Sequence, residues 1–139
     1  MFIVSQIARI LLALIFIFFG LSPLFMGPPP PLPGLAGTLT ISLYQSHWTY
    51  TIAFAQLVAG VLLLVNRYAA VALIILAAFL YNSFSYHALT MPEMLPLPLV
   101  VLILWFLACW PYRVQFAALF TTKPLRAEKA AADVAYDRH

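Results

Sequence analysis

Residues 48–89 read WTYTIAFAQLVAGVLLLVNRYAAVALIILAAFLYNSFSYHAL. Two apolar runs meet at Asn66-Arg67, and neither contains a charged residue. Each approaches the ~20 residues that a helix needs to cross a bilayer. Backbone groups in hydrocarbon must be satisfied within the segment, so helices are expected despite the many β-branched residues. The runs are also too long for core strands. A break this short between two helices makes them an antiparallel hairpin, expected over about 48–65 and 68–89.

The same criterion finds one run before the hairpin and one after it. The first covers about 4–26, with its apolar heart at Ile10–Phe19, and the last about 95–112, around Val100–Cys109. Arg9 ahead of an apolar run also fits a cleaved signal peptide, but the run is long and a retained helix is expected. The fold class is therefore read as all-α: an integral membrane four-helix bundle over residues 1–112, with a tail over 113–139.

Composition agrees. Of 139 residues, 65% are hydrophobic and 8% charged, whereas soluble domains carry roughly 25% charge. So few charges cannot cover a water-facing exterior. The net charge of +3 comes from scattered residues and accompanies no nucleic-acid motif, so no nucleic-acid partner is expected. Cys109, the single cysteine, excludes an intramolecular disulfide and a cysteine-based metal cage, and packing is its expected role.

The seven basic residues give the orientation. Arg9 starts the first helix and is expected to snorkel to the nearer interface. Arg67 sits in the second connection, and Arg113, Lys123, Arg126, Lys129 and Arg138 follow the fourth helix. With four spans these places share one side, while the two opposite connections contain no Lys or Arg. By the positive-inside rule both termini are cytoplasmic, with Arg9, Arg67 and Arg113 as anchors.

Breakers set the connections. Gly27-Pro28-Pro29-Pro30-Pro31-Leu32-Pro33-Gly34 is expected to be stiff and extended. The uncharged Leu35–Ser46 stretch fits either a short interfacial helix or an ordered loop. The prolines of 91–98 interrupt the chain before the last helix. In the tail, Val114, Phe116, Leu119 and Phe120 suit the headgroup region, and 126–137 suits a short solvated helix.

Polar side chains in hydrocarbon cost free energy unless partnered, so they are the informative ones. Gln56 lies mid-helix in the second run. The third turns polar in its second half, with Asn82, Ser83, Ser85, Tyr86 and His87. Asn82 and Tyr86 share one helical face, Ser83 and His87 another. A turn centred on Arg67 sets His47 level with His87 and Thr51 level with Ser83. Glu93 follows on the same side, so His47, His87 and Glu93 are expected to converge with Asn82, Tyr50 and Tyr86 at one mouth of the bundle.

Three chemistries fit that set. Interhelical hydrogen bonds contribute on the order of 1 kcal/mol each. A small-molecule pocket is the second: neutral histidine both donates and accepts, which suits a polar head such as a quinone. A haem or metal site is the third, since histidine is the commonest metal ligand. Two histidines and one acid without motif spacing assign no metal. No Ser/His/Asp order, phosphate loop or zinc signature is present.

The segment Ala8-Arg9-Ile10-Leu11 through Phe19-Gly20-Leu21 resembles the first helix of the DoxX family. Gln56-Leu57-Val58-Ala59-Gly60 through Asn66-Arg67-Tyr68 resembles its second helix and basic turn, and His87 and Pro28–Gly37 match one branch of it. The resemblance covers about residues 4–112 and implies a small four-helix protein of the bacterial inner membrane. Relatives of the DoxD type are linked to quinone-coupled sulfur oxidation; others are proposed to join complexes that handle oxidative stress or thiols. Two family charges are missing: Gln56 stands near a common glutamate, and Gly20-Leu21-Ser22-Pro23 lacks a common lysine.

The resulting expectation is an accessory subunit of membrane redox metabolism, embedded in the lipid bilayer beside other membrane subunits. It holds a quinone or lipid through candidates His47, His87, Asn82, Tyr86, Gln56 and Glu93. A purely structural small subunit and a quinone-linked oxidoreductase stand as alternatives, and enzymatic activity is left open.

Overall fold

The computed structural model describes residues 2–120. They form α1 (Phe2–Leu21), α2 (Gly34–Gln45), α3 (Trp48–Leu64), α4 (Ala69–Thr90), α5 (Pro96–Cys109) and α6 (Arg113–Leu119). Short 3-10 turns occupy Ser22–Leu24, Pro92–Met94 and Trp110–Tyr112. No strand occurs among the described residues, in line with the all-α expectation. The segment expected to be helical over 126–137 lies outside them.

Three runs are long and apolar enough to cross a bilayer: Phe2–Leu24, Ala69–Thr90 and Pro96–Leu119. A fourth is obtained if Gly34–Gln45 and Trp48–Leu64, bent by 83° at their junction, count as one span. Prolines account for the boundaries. Pro23 opens a 3-10 turn that ends α1 short of the expected Met26. Pro111 also stands in the first turn of a 3-10 helix, where its missing N–H costs little, so the last helical run continues to Leu119. Arg113 consequently lies within that run.

Helix α1 packs along α3 and α5, and α4 along both α3 and α5. Neighbours are antiparallel: Gly20 meets Leu57 while Gly60 meets Ala13 and Ile17, and Trp105 donates to the Leu73 carbonyl at 2.8 Å. The start of α1 and the end of α5 therefore share one end. Without a hydrophobic drive between helices in lipid, close approach depends on small residues. A Cβ on Gly20 would lie 2.7 Å from the Leu57 backbone nitrogen, and one on Gly60 3.0 Å from the Ala13 carbonyl oxygen.

Leu12, Leu63, Leu73 and Leu76 are fully buried at the centre. Ile3, Phe54 and Phe106 are 73, 68 and 60% exposed. An exterior this apolar belongs in lipid.

One end is locked by backbone capping. Asn66, at φ 55°, is the left-handed residue of a Schellman motif: its N–H donates to Leu63 and that of Arg67 to Leu62. Asparagine tolerates this conformation better than most residues. Arg9 completes the cap. Its guanidinium is 8% exposed and donates to the Leu63 and Leu64 carbonyls at the end of α3, and to Gln6. The guanidinium thus adds to the Asn66 donor at Leu63 and reaches the last carbonyl of the helix, at the pole of the helix dipole where a cation is favoured. The Tyr112 hydroxyl then donates to the Asn66 side-chain oxygen at 2.7 Å, tying in the chain after α5.

Between the two open alternatives for residues 35–46, the structure has a helix, α2. The proline segment folds back on it at Gly37, where any Cβ would collide with the Leu32 carbonyl. Thr38, Thr40 and Ser42 donate to carbonyls four residues earlier, which satisfies the hydroxyl donors of an uncharged helix.

Candidate functional site

The inward stripe of α4 begins with buried Ala69, Ala72, Leu73, Leu76 and Leu80. Continued at the same three-and-four spacing, it reaches Ser83 and His87. In α3, buried Ala53, Gly60 and Leu63 define a stripe that also contains Gln56. Helical phase thus turns three uncharged polar residues toward the interior.

They line one cavity of about 330 Å³ among α1, α3, α4 and α5. Gln56, Ser83 and His87 are its polar residues. Phe16 and Phe19 of α1, Phe79 and Leu80 of α4, and Leu97, Pro98 and Val101 of α5 form most of the apolar wall. A cavity of about 150 Å³ accommodates benzene, so this one has room for a substituted ring. No Asp, Glu, Lys or Arg lines it.

His87 Nδ1 lies 2.8 Å from the Ser83 carbonyl oxygen. A carbonyl only accepts, so Nδ1 carries a proton, and in the neutral ring Nε2 is an acceptor. The ring is steadied by an edge contact with Tyr86, at 5.3 Å between centroids. Among the described residues no hydrogen bond reaches the Gln56 amide or the Ser83 hydroxyl, and both residues are half-buried. The site can therefore donate from an amide or hydroxyl and accept at an imidazole nitrogen, with no net charge.

The remaining sequence candidates go elsewhere. Asn82 is exposed and donates to the Ala78 carbonyl of its own helix at 2.8 Å. The Tyr86 hydroxyl donates to the Ala36 carbonyl at 3.2 Å and lies 3.0 Å from the Thr40 hydroxyl, so it fastens α2 to α4. His47 is exposed at the bend between α2 and α3, in the left-handed region at φ 62°, with its ring 5.9 Å from that of Tyr50. Glu93 is exposed on the turn before α5. Gln56 and His87 thus meet in one cavity, while His47, Asn82, Tyr86 and Glu93 do not line it.

Ser83 and the phenylalanine wall join the site without having been singled out. Ser83 was signalled by sharing a face with His87; the phenylalanines carried no signal in so apolar a chain. Tyr50 instead lines a second cavity of about 430 Å³, together with Pro28–Pro30, Thr40, Tyr44 and Thr49. Among the described residues no three His, Cys, Asp or Glu side chains gather as a metal site would require.

The arginines occupy the opposite end from His87. Arg67 is exposed on the capped turn beside Arg9. Arg113 donates to the Trp110 carbonyl at 3.2 Å and stands 5.4 Å over the Trp110 ring, next to the Tyr112–Asn66 bond. Comparison with protein-family models, curated proteins and solved structures finds no match.

Proposed function

We propose that this chain is a DoxX-like four-helix protein of the bacterial inner membrane. In this reading both termini are cytoplasmic, and the protein serves membrane redox metabolism as an accessory subunit that holds a quinone-class molecule. The observation that carries the ligand reading is the uncharged polar trio Gln56, Ser83 and His87 inside a phenylalanine-walled cavity. A phosphorylated or carboxylated head would leave its charge unpaired there, at a cost of several kcal/mol. A neutral ring bearing oxygens at its edge meets the amide, the hydroxyl and the imidazole.

The orientation is supported by the clustering of Arg9, Arg67 and Arg113 at one end, as the positive-inside rule requires of a cytoplasmic face. Four crossings need α3 to serve as a span. Its 17 residues reach roughly 25 Å at 1.5 Å per residue, and α2, bent at the junction, supplies apolar surface beyond it.

His87 adds a redox preference. Because Nδ1 is committed to Ser83, neutral Nε2 favours a ligand that brings its own proton, a quinol hydroxyl over a quinone carbonyl. The test is binding of a tail-less benzoquinol and its oxidised form to protein in nanodiscs under anaerobic conditions. Tighter binding of the quinol by about fivefold is expected from one hydrogen bond of ~1 kcal/mol. His87→Ala and Gln56→Leu should each weaken quinol binding, whereas Asn82→Ala should not. Absence of binding by the unmodified protein removes the proposal.

A further inference from the structure

Beside the polar cavity runs an apolar groove of about 410 Å³ between α1 and α5. The two spaces share four lining residues: Ile15 and Phe19 from α1, Leu97 and Val101 from α5. Every residue lining the groove is apolar, and its outer rim is exposed: Leu14, Phe18 and Val100 are 51, 50 and 56% accessible. A second groove, between α4 and α5, shares only Leu80 with the polar cavity. Below the cavity, toward the arginine end, fully buried Leu12, Leu73 and Leu76 close the interior.

From this adjacency we infer that the ligand reaches its site sideways out of the bilayer, between α1 and α5, and leaves its hydrocarbon tail in the groove. The inference rests on the reading of the inner cavity as a site for a neutral ring. It adds the tail, the route and the wall that sorts ligands. The ring sits among Gln56, Ser83 and His87, Ile15, Phe19, Leu97 and Val101 form the neck, and the tail lies against Leu14, Phe18 and Val100. The occupant is thus a neutral amphiphile with one long apolar chain. An arriving ring need never cross a charged headgroup layer, since its route stays at the depth of the cavity.

The physics of lipid sets what the groove does. Acyl chains are as apolar as leucine, so a tail gains little hydrophobic free energy by leaving lipid for the groove. The groove acts instead as a passage and an orienting rail, and an obstruction there should discriminate by tail and not by head.

The experiment uses protein in nanodiscs, a decyl-tailed benzoquinol and its tail-less parent. Val100→Trp and Leu14→Trp each place an indole in the groove; Ile103→Trp, at a position 57% exposed on α5 and outside both spaces, is the control. Expected is at least tenfold weaker equilibrium binding of the decyl compound by the two groove variants, with the affinity for the tail-less compound within twofold of unmodified protein, its association slowed along the shared route, and the control unchanged. Equal loss of affinity for both compounds, or for neither, or unslowed association of the tail-less compound, overturns the route while leaving the inner site intact. Failure of the unmodified protein to bind either compound overturns the inner-site reading and the route together.

A photoreactive group at the tail end supplies a measurement that does not depend on a folded variant. Crosslinks should map to Leu14, Phe18 or Val100. Crosslinks to Tyr81 or Phe84, in the groove between α4 and α5, or to bulk nanodisc lipid alone, overturn the inference.

Discussion

Gly20→Ala tests how closely α1 and α3 cross. The added Cβ would stand 2.7 Å from the Leu57 nitrogen and 2.8 Å from its Cα, against the roughly 3.5–4.0 Å at which carbon atoms attract. Two of the three obstructing atoms belong to the Leu57 backbone and the third is its Cβ, which side-chain rotation does not move, so the helices must part. Overpacking costs about 1–3 kcal/mol, and backbone contacts place this case at the upper end. Alanine's better helix propensity returns up to about 1 kcal/mol in a helix interior and less at Gly20, one residue from the end of α1. The net expectation is a loss of about 2 kcal/mol, or roughly 30-fold in the folding equilibrium. Gly60→Ala meets Ala13 and Ile17 at 2.9–3.0 Å, partly through a side-chain carbon, and lies well inside α3. It should cost about half as much. Gly27→Ala, with nothing within 4 Å of its Cβ, should fall within about 0.5 kcal/mol of unmodified protein. Reversible unfolding by SDS titration in mixed micelles, followed by tryptophan fluorescence, reads all three. Gly20→Ala as stable as the unmodified chain would refute the close crossing, and a loss at Gly27 equal to that at Gly20 would refute its location.

Arg9→Met leaves the Leu64 carbonyl without its guanidinium donor. About 1.5–3 kcal/mol is at stake for hydrogen bonds to a charged group, and Arg9→Lys should recover only part of it in the same SDS titration. Tyr86→Phe removes the hydroxyl that holds α2; amide hydrogen exchange over 34–45 should speed up while quinol binding is unchanged. Trp105→Phe deletes the donor to the Leu73 carbonyl and should cost about 0.6 kcal/mol, the mean for hydrogen bonds between membrane helices. For the orientation, a Cys109→Ser background allows Arg67→Cys and Glu93→Cys to be labelled by a membrane-impermeant maleimide in intact cells. Reaction at position 93 and not at 67 is expected, and the reverse pattern would invert the topology.

Helices were legible because a run of twenty apolar residues is an average that local detail does not disturb. Gln56 and His87 were legible through scarcity, since a polar group among so many leucines demands a partner. Rotation was harder. Asn82 and Ser83 are adjacent in sequence yet point about 100° apart on a helix, and α4 is apolar on nearly every face, so amphipathicity does not say which side turns inward. The small residues do. Ala69 and Ala72 start the buried stripe that runs through Leu76 and Leu80 to Ser83 and His87, and Asn82 and Tyr86 fall beside it. Equal depth along a hairpin misled for a related reason. It places His47 and His87 at one level and is silent on azimuth, and the bend before α3 leaves His47 exposed, beside Tyr50.

Arg9 shows the same limit from the other direction. A lone arginine near the start of an apolar helix satisfies the snorkelling rule and the topology rule alike. Its partner, the carbonyl end of α3, lies more than fifty residues away, and only the antiparallel crossing brings the two together. That pairing divides the molecule. At the arginine end, the Schellman turn, the buried guanidinium and the Tyr112–Asn66 bond occupy the polar groups of the backbone and side chains. At the His87 end, α5 starts at Pro96, and Pro98 removes another donor from its first turn. There, among the described residues, the Gln56 amide and the Ser83 hydroxyl have no protein partner beside the cavity. Polar groups partnered at the arginine end and left open around the cavity at the His87 end make that cavity the place to test for an uncharged ligand.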